Sequence, residues 1–299
     1  MTYALITVFF PTEDTQRNVR EIAKQVDKVF ICDNSPYPNR GMFESLESKD
    51  GIRYVFFGEN LGLSRAFNRI LKEPGYGWED RDYIFFFDQD SAIGSRHIDT
   101  LIATYERIRE NGFHIGCLGP VYYNASSGHV EMPRIKKTVQ DNTYAVSGII
   151  TSSMLCRYGD LRTIGFWNED VFLDLADWDL CWRLQEAGKL CCITEAVILQ
   201  HRVGSGEKKI GPLRLRVGAP VREYYQIRDS LYLLRKEYTP MKYRVRFLAM
   251  VAVRSPLHVL LLENRSERMR YILKGISDYR GRRHGALLSE EEHLPQASR

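Results

Sequence analysis

The sequence predicts an α/β fold, a mainly parallel central sheet flanked by helices with a helical extension at the C-terminal end. Three observations predict it. Short β-branched and aromatic runs alternate with helical periodicities through the first 200 or so residues. The run Phe85-Phe86-Phe87 is apolar without alternation, as a strand buried on both faces requires. It ends abruptly in Asp88-Gln89-Asp90, and in open α/β sheets ligands gather at that carboxyl edge.

Each element follows from its own pattern. Ala4–Phe10, Val29–Cys32, Tyr54–Phe57 and Tyr83–Phe87 read as strands. Helical patterns lie between them at 14–26, 61–71 and 95–111, with another near 40–48. Ile115–Tyr123 and Tyr144–Ile150 read as further strands, joined by a polar stretch, Asn124–Asn142, that reads as a mobile loop. A helix near 177–187 leads into a last strand, Leu190–Leu199. Beyond about 220 the pattern is helical: Val221–Glu237, Met241–Glu263 and Ser266–Tyr279, with Pro240 and Pro256 breaking or kinking it. The expected division is a catalytic-type domain over 1–219 and a basic amphipathic helical extension over 220–299 packed on it.

Composition narrows the class. At 299 residues the chain can bury a substantial core. The six cysteines show no C-x-x-C spacing and sit mostly in apolar runs, which suits buried free thiols in a reducing cytoplasm. Tyr3 to Phe10 runs into Pro11-Thr12-Glu13-Asp14 without a basic leader, so it reads as a first strand and not a signal peptide. No window approaches the roughly 20 apolar residues of a spanning helix. The net charge of +4 hides an asymmetry. Residues 205–285 carry nineteen Lys and Arg against seven Asp and Glu, while residues 1–204 carry an acidic excess. A basic segment of this kind predicts an anionic partner. Lys242, Arg244, Arg246 and Arg254 flank apolar stretches, and Arg265, Arg268, Arg270 and Lys274 follow, as on a helix lying on an anionic membrane surface. No nucleic-acid-binding signature is present, so nucleic acid is not the expected partner.

Several clusters carry candidate chemistry. Neither a G-x-G-x-x-G turn nor a P-loop occurs, which argues against those two nucleotide sites. Asp88 and Asp90, one residue apart on a turn, offer hard oxygen ligands to a divalent cation. Asp33, ending the second strand, reads either as an Asx-turn or as an acceptor for the imide N–H of uracil or thymine. Asn60, Gly62, Ser64 and Asn68 follow the third strand; they cap and ease a helix start, or let a nucleotide approach closely. Asp174, Asp177 and Asp179 lead into a helix, whose dipole accounts for one or two of them. The third, beside Trp178, reads as a general base facing a sugar hydroxyl, with the indole stacking on the sugar. His201, at the end of the last sheet strand, could complete a metal site.

Taken in order, these motifs resemble inverting family 2 glycosyltransferases of the GT-A fold, most of all bacterial rhamnosyltransferases that build lipopolysaccharide and other surface polysaccharides. The resemblance covers residues 3–204, with a fainter echo at Tyr224–Asp229 and Tyr279-Arg280-Gly281. It implies that Phe9, Pro11, Asp33, Asn60, Gly62, Asn68 and Asp88 hold the nucleotide. It implies a metal site for Mg²⁺ or Mn²⁺ at Asp88, Asp90 and His201, and Asp177 as catalytic base. Ser147, Gly148, Trp167, Trp178 and Asp179 would shape the donor-sugar and acceptor pockets, with Gly165 and Phe166 beside Trp167. Two residues depart from the family pattern: Phe10 replaces an Asn before Pro11, and Ala176 replaces a Glu before Asp177.

The implied reaction is metal-dependent transfer, with inversion, of L-rhamnose from dTDP-L-rhamnose to a lipopolysaccharide core or lipid-linked glycan. The implied location is cytoplasmic, peripheral on the inner face of the cytoplasmic membrane. Two other readings stand beside it: an enzyme of the same fold using a UDP-hexose, and a non-catalytic glycan- or membrane-binding module.

Overall fold

Phe85, Phe86 and Phe87 are all fully buried, because the strand carrying them lies inside a sheet covered on both faces. The computed structural model describes residues 1–47, 51–124, 129–133, 136–201, 207–210, 213–216 and 218–287.

The chain opens with β1 (Thr2–Val8), α1 (Glu13–Ala23), β2 (Lys28–Asp33), α2 (Arg40–Glu47), β3 (Ile52–Phe56) and α3 (Gly62–Leu71). A short 3₁₀ turn precedes β4 (Tyr83–Asp88), which is followed by α4 (His97–Glu110), β5 (Ile115–Asn124) and β6 (His129–Glu131). Then come β7 (Lys137–Gln140), β8 (Thr143–Ala145), β9 (Met154–Arg157), α5 (Tyr158–Thr163), α6 (Ala176–Glu186) and β10 (Leu190–His201). A hairpin of β11 (Glu207–Ile210) and β12 (Leu213–Arg216) leads to α7 (Val221–Leu234) and α8 (Met241–Ala249). A π-helical turn, Met250–Arg254, joins α8 to α9 (Ser255–Leu261), and α10 (Arg265–Arg280) follows.

Ten strands form one sheet in the order β3-β2-β1-β4-β9-β5-β10-β8-β7, with β6 on β5. The sheet is mixed, more so than the sequence predicts. Strands β3, β2, β1 and β4 run parallel, as do β5 and β10, but β9 enters antiparallel between β4 and β5. Parallel neighbours need a crossover, usually helical, and the described residues between β5 and β9 form no helix. The stretch read as a loop, Asn124–Asn142, holds β6 and β7, while the predicted strand Tyr144–Ile150 shortens to β8.

Alternating side chains of β4 enter two cores. Phe85 and Phe87 pack with Ile98, Leu101, Tyr105 and Ile108 of α4, while Phe86 packs with Phe67 and Trp167 on the other face. This second core also contains Leu233, Tyr243 and Phe247, so α7 and α8 share it with the sheet.

The C-terminal helices are tied together by buried charge. The Glu223 carboxylate meets His258 Nδ1 at 2.6 Å and Arg268 at 3.3 Å. Arg228 is buried and donates to Asp229 and to the Gly285 carbonyl. Much of the predicted basic face is thereby spent internally. Arg244 caps the end of α7 through the carbonyls of Lys236, Glu237 and Thr239, Lys274 pairs with Asp278, and Arg254 donates to Gln226. Lys242, Arg246, Arg265 and Arg270 stay exposed. Among the described residues, no helix is long and apolar enough to cross a membrane. All six cysteines are buried and unpaired.

Candidate active site

Strand register brings the first acids to one edge. Thr7 of β1 stands opposite Asp88 of β4, and Val8 stands opposite Asp33 of β2. Asp88 is half-buried and accepts a hydrogen bond from the Ser152 hydroxyl, while Asp90 is exposed. Gln89 between them is a tether. Its side-chain oxygen accepts from the Phe9 amide at 2.7 Å, and its carbonyl accepts from Asn18 at 3.1 Å. Behind this turn, Ser153 adopts a left-handed φ of 65° and meets His97 Nε2 at 2.8 Å. Burial lowers His97 to about 4, so it serves there as a neutral imidazole. Ser152, Ser153, His97 and Gln89 escaped the sequence reading, because nothing local in their segments marks the contacts. The two carboxylates at the turn are hard oxygen donors and suit Mg²⁺ or Mn²⁺.

Several residues assigned to the nucleotide hold the protein instead. Asp33 is fully buried; its carboxylate accepts from the Ser35 amide at 2.8 Å, the Tyr54 hydroxyl at 2.5 Å and Asn39 Nδ2 at 3.0 Å. That is the Asx-turn reading, and no exposed oxygen is left for a base. Asn68 is spent as well: its amide donates to the Trp167 carbonyl and Glu169, and its oxygen accepts from the Trp167 amide. Asn60 accepts from the Gly62 amide at 3.0 Å as a local turn former. Gly62 has a φ of +72°, and a Cβ there would lie 2.5 Å from the Phe172 carbonyl oxygen. The close approach that Gly62 permits here is by the chain's own loop at Phe172. Phe9 and Phe10 are exposed beside this edge with rings 4.6 Å apart, and Pro11 behind them is buried. Phe10 takes a left-handed φ of 49°, a conformation in which Asn is favoured over Phe.

The acids before α6 divide by environment. Asp174 is bound to α7 through Arg222 and through Gln226 at 2.7 Å. Asp177, the second residue of α6, accepts from the Trp178 amide at 2.8 Å and is half-buried. Burial pushes its carboxyl well above the usual range, and Cys181 one turn on, Asp88 and Asp174 add to the rise. Asp88 thus acts on Asp177, although 89 residues separate them in sequence. Asp179, assigned to the sugar pocket, is fully buried and accepts from Arg183 at 2.7 Å, Tyr238 at 2.6 Å and Asn168 at 3.1 Å. It anchors α6 and has no free face for a sugar.

Trp178, next to Asp177 in the chain, lines a cavity of about 230 Å³ together with Pro120, Tyr122, Met132, Gly148 and Ile149. A Cβ on Gly148 would approach the indole at 3.4 Å. Ser147 bonds the Tyr243 hydroxyl at 2.8 Å, the Tyr243 ring meets Trp178 edge-on at 4.8 Å, and the Arg246 guanidinium lies over the indole at 5.1 Å. Helix α8 thus closes over one side of the site, which the sequence did not indicate. Trp167 is not there. It is 2% exposed, packed between Phe67 and Phe86 in the core, because the left-handed turn at Gly165 and Phe166 folds it inward.

The proposed metal set is only partly on view. β10 stands three strand positions from β4, so His201 does not adjoin Asp88 through strand pairing, and its side chain lies outside the described residues. Among the described residues, the tight group of potential ligand atoms is Cys117 of β5, Cys181 of α6 and Cys191 of β10, all buried.

Comparison with known proteins agrees with this architecture. The sequence model of Glycosyl transferase family 2 matches residues 5–163. The chain is 26% identical over 294 residues to the dTDP-rhamnosyl transferase RfbF of Shigella flexneri, covering 93% of this chain and 95% of that one. Its fold resembles S. aureus TarS 1-349 in complex with UDP-GlcNAc, at a TM-score of 0.56 and 15% identity, over 93% of this chain and 80% of TarS. It also resembles GalNAc-T7 with UDP, GalNAc and Mn²⁺, at a TM-score of 0.55 and 10% identity, over 86% of this chain and 57% of that one. A central mixed sheet with an acid-bearing carboxyl edge, matched by the family over more than half the chain, identifies this protein as a glycosyltransferase of family 2 with a GT-A fold.

Proposed function

We propose that the protein transfers L-rhamnose from dTDP-L-rhamnose, with inversion, to a hydroxyl of a lipopolysaccharide core or lipid-linked glycan. The observation that carries this reading is the placement of Asp177: a half-buried carboxylate in the first turn of α6, next to Trp178, whose indole lines a cavity and can stack on a sugar. The similarity to a dTDP-rhamnosyl transferase along nearly the whole chain supports the donor.

In this reading the ionised Asp177 takes the proton of the acceptor hydroxyl. The acceptor oxygen forms its bond to the anomeric carbon from the face opposite the nucleotide, and the bond to the diphosphate oxygen breaks with its electron pair. Trp178 orients the sugar, and Arg246 over one face of the ring fixes the indole. Asp88 and Asp90, with His201 as a further ligand, would hold Mg²⁺ or Mn²⁺, which when bound neutralises charge on the leaving diphosphate. Phe9 and Phe10 offer the exposed aromatic surface for the base. Residues 1–219 form the catalytic unit in this reading, and 220–299 a helical extension that brings it to the inner face of the membrane.

The test is a donor panel of dTDP-L-rhamnose and UDP-hexoses assayed with and without EDTA against truncated lipopolysaccharide core. Transfer from dTDP-L-rhamnose, lost with EDTA and giving the inverted anomer by NMR, is expected. Transfer from a UDP-hexose alone would overturn the donor assignment, and activity indifferent to EDTA would overturn the metal.

A further inference from the structure

The chain from Met241 to Leu260 has two unlike faces. Its inner face is buried: Tyr243 packs on Trp178 and Trp182, and Phe247 on Trp182. Its outer face carries Met241, Val245, Leu248, Val253 and Leu260, exposed by 54 to 68%. Ala249, Ala252 and Pro256 fill the exposed positions between them. The π-helical turn Met250–Arg254 widens the helix where α8 passes into α9 and lets the apolar stripe continue across the join. At helical rise this ridge is about 30 Å long.

Single exposed apolar side chains need no explanation, but a run of them along one helical edge does. The charge beside the ridge says what covers it. Residues 241–260 contain no Asp or Glu, and the exposed cations Lys242 and Arg246 stand on its flanks. The neighbouring α10 adds exposed Met269 and Leu273 with exposed Arg265 and Arg270. A two-fold contact with a second copy would set these cations against their own counterparts with no carboxylate on the ridge to offset them. Lipid phosphates supply the missing charge, and acyl chains the apolar partner.

We propose that the α8–α9 ridge docks on an anionic lipid bilayer, with Met241, Val245, Leu248, Val253 and Leu260 buried among the upper acyl chains. Because the same helix presents Tyr243 and Arg246 to Trp178, docking brings Trp178 and the adjacent Asp177 close to the headgroup level. This deepens the functional reading and rests on it for one consequence: the acceptor is a glycan anchored in that surface.

The test omits both donor and acceptor, so it does not depend on the proposed reaction. The full chain is sedimented with phosphatidylcholine vesicles with and without phosphatidylglycerol, at low and high salt. Wild type binds the anionic vesicles and is released by salt. The double variant Val245→Ser/Leu248→Ser binds at least about tenfold more weakly, and Lys242→Glu also weakens binding, while both keep the wild-type melting temperature. Failure of the wild type to bind anionic vesicles at low salt overturns the proposal. So does a double variant that binds unchanged, or a concentration-dependent dimer that the double variant abolishes.

Discussion

A methyl group at Gly62 would stand 2.5 Å from the carbonyl oxygen of Phe172. That carbonyl also accepts the Leu63 amide at 2.8 Å, the Phe172 amide donates to Asp229, and the Phe172 ring stacks on Tyr225 at 4.2 Å. The segment leading to Asp177 is thus clamped between the start of α3 and α7. Gly62→Ala combines a left-handed backbone with a backbone clash and is expected to cost about 3 kcal/mol. Turnover should fall more than donor affinity, because the displaced loop carries the base. Thermal melts and donor calorimetry check this, and an unchanged melting temperature would remove the clamp.

Asp177→Asn is expected to lower turnover roughly 10²–10⁴-fold while leaving donor binding near wild type. The raised carboxyl gives the effect a second signature. A group whose folded pKa lies above its unfolded value favours the folded state fully below the unfolded value, near 4. That contribution is lost as pH rises through the folded value. At neutral pH the ionised group therefore opposes folding, and the Asn variant should melt no lower than wild type. Activity has the opposite slope, since only the ionised base works. The acid limb of kcat/KM should lie above the usual carboxylate range, and a limb near 4 would contradict the assignment.

Asp90→Ala is expected to weaken donor binding in the presence of Mg²⁺ or Mn²⁺ and to erase the difference that EDTA makes. Ser152→Ala, which removes a hydrogen bond to Asp88, should act in the same direction more mildly. Calorimetry of the donor with and without chelator reads both. A wild-type metal titration in Asp90→Ala would refute its role as ligand.

Asp179→Ala is expected to act on stability. It leaves Arg183, whose side chain is 13% exposed, without its carboxylate, at a cost of about 3–5 kcal/mol. Below its lowered melting temperature the variant should keep wild-type KM values for both substrates. A raised KM with an unchanged melt would return Asp179 to the sugar pocket.

The fold was legible because its signals are local. The unbroken apolar run of β4, the periodicity of α3 and α4, and the proline breaks around α8 each declare an element within a few residues. What failed was partner assignment. Asn68 shares a helical face with Ser64, as spacing requires, yet its amide is consumed by Trp167 and Glu169 about a hundred residues away. Asp33 at a strand end suits either a nucleobase or a turn, and Tyr54 and Asn39 decided for the turn. The C-terminal arginines looked alike in sequence, but Arg268 found Glu223 whereas Arg246 found the face of Trp178.

By itself the sequence determined the alternation of strands and helices, the acids at the carboxyl edge and the basic character of the last third. The tertiary structure alone decided which polar groups are spent on the protein and which remain for a ligand. The physical reason is that a strand or helix is written in neighbouring residues, whereas a buried hydrogen bond needs two groups that only the finished packing brings within 3 Å.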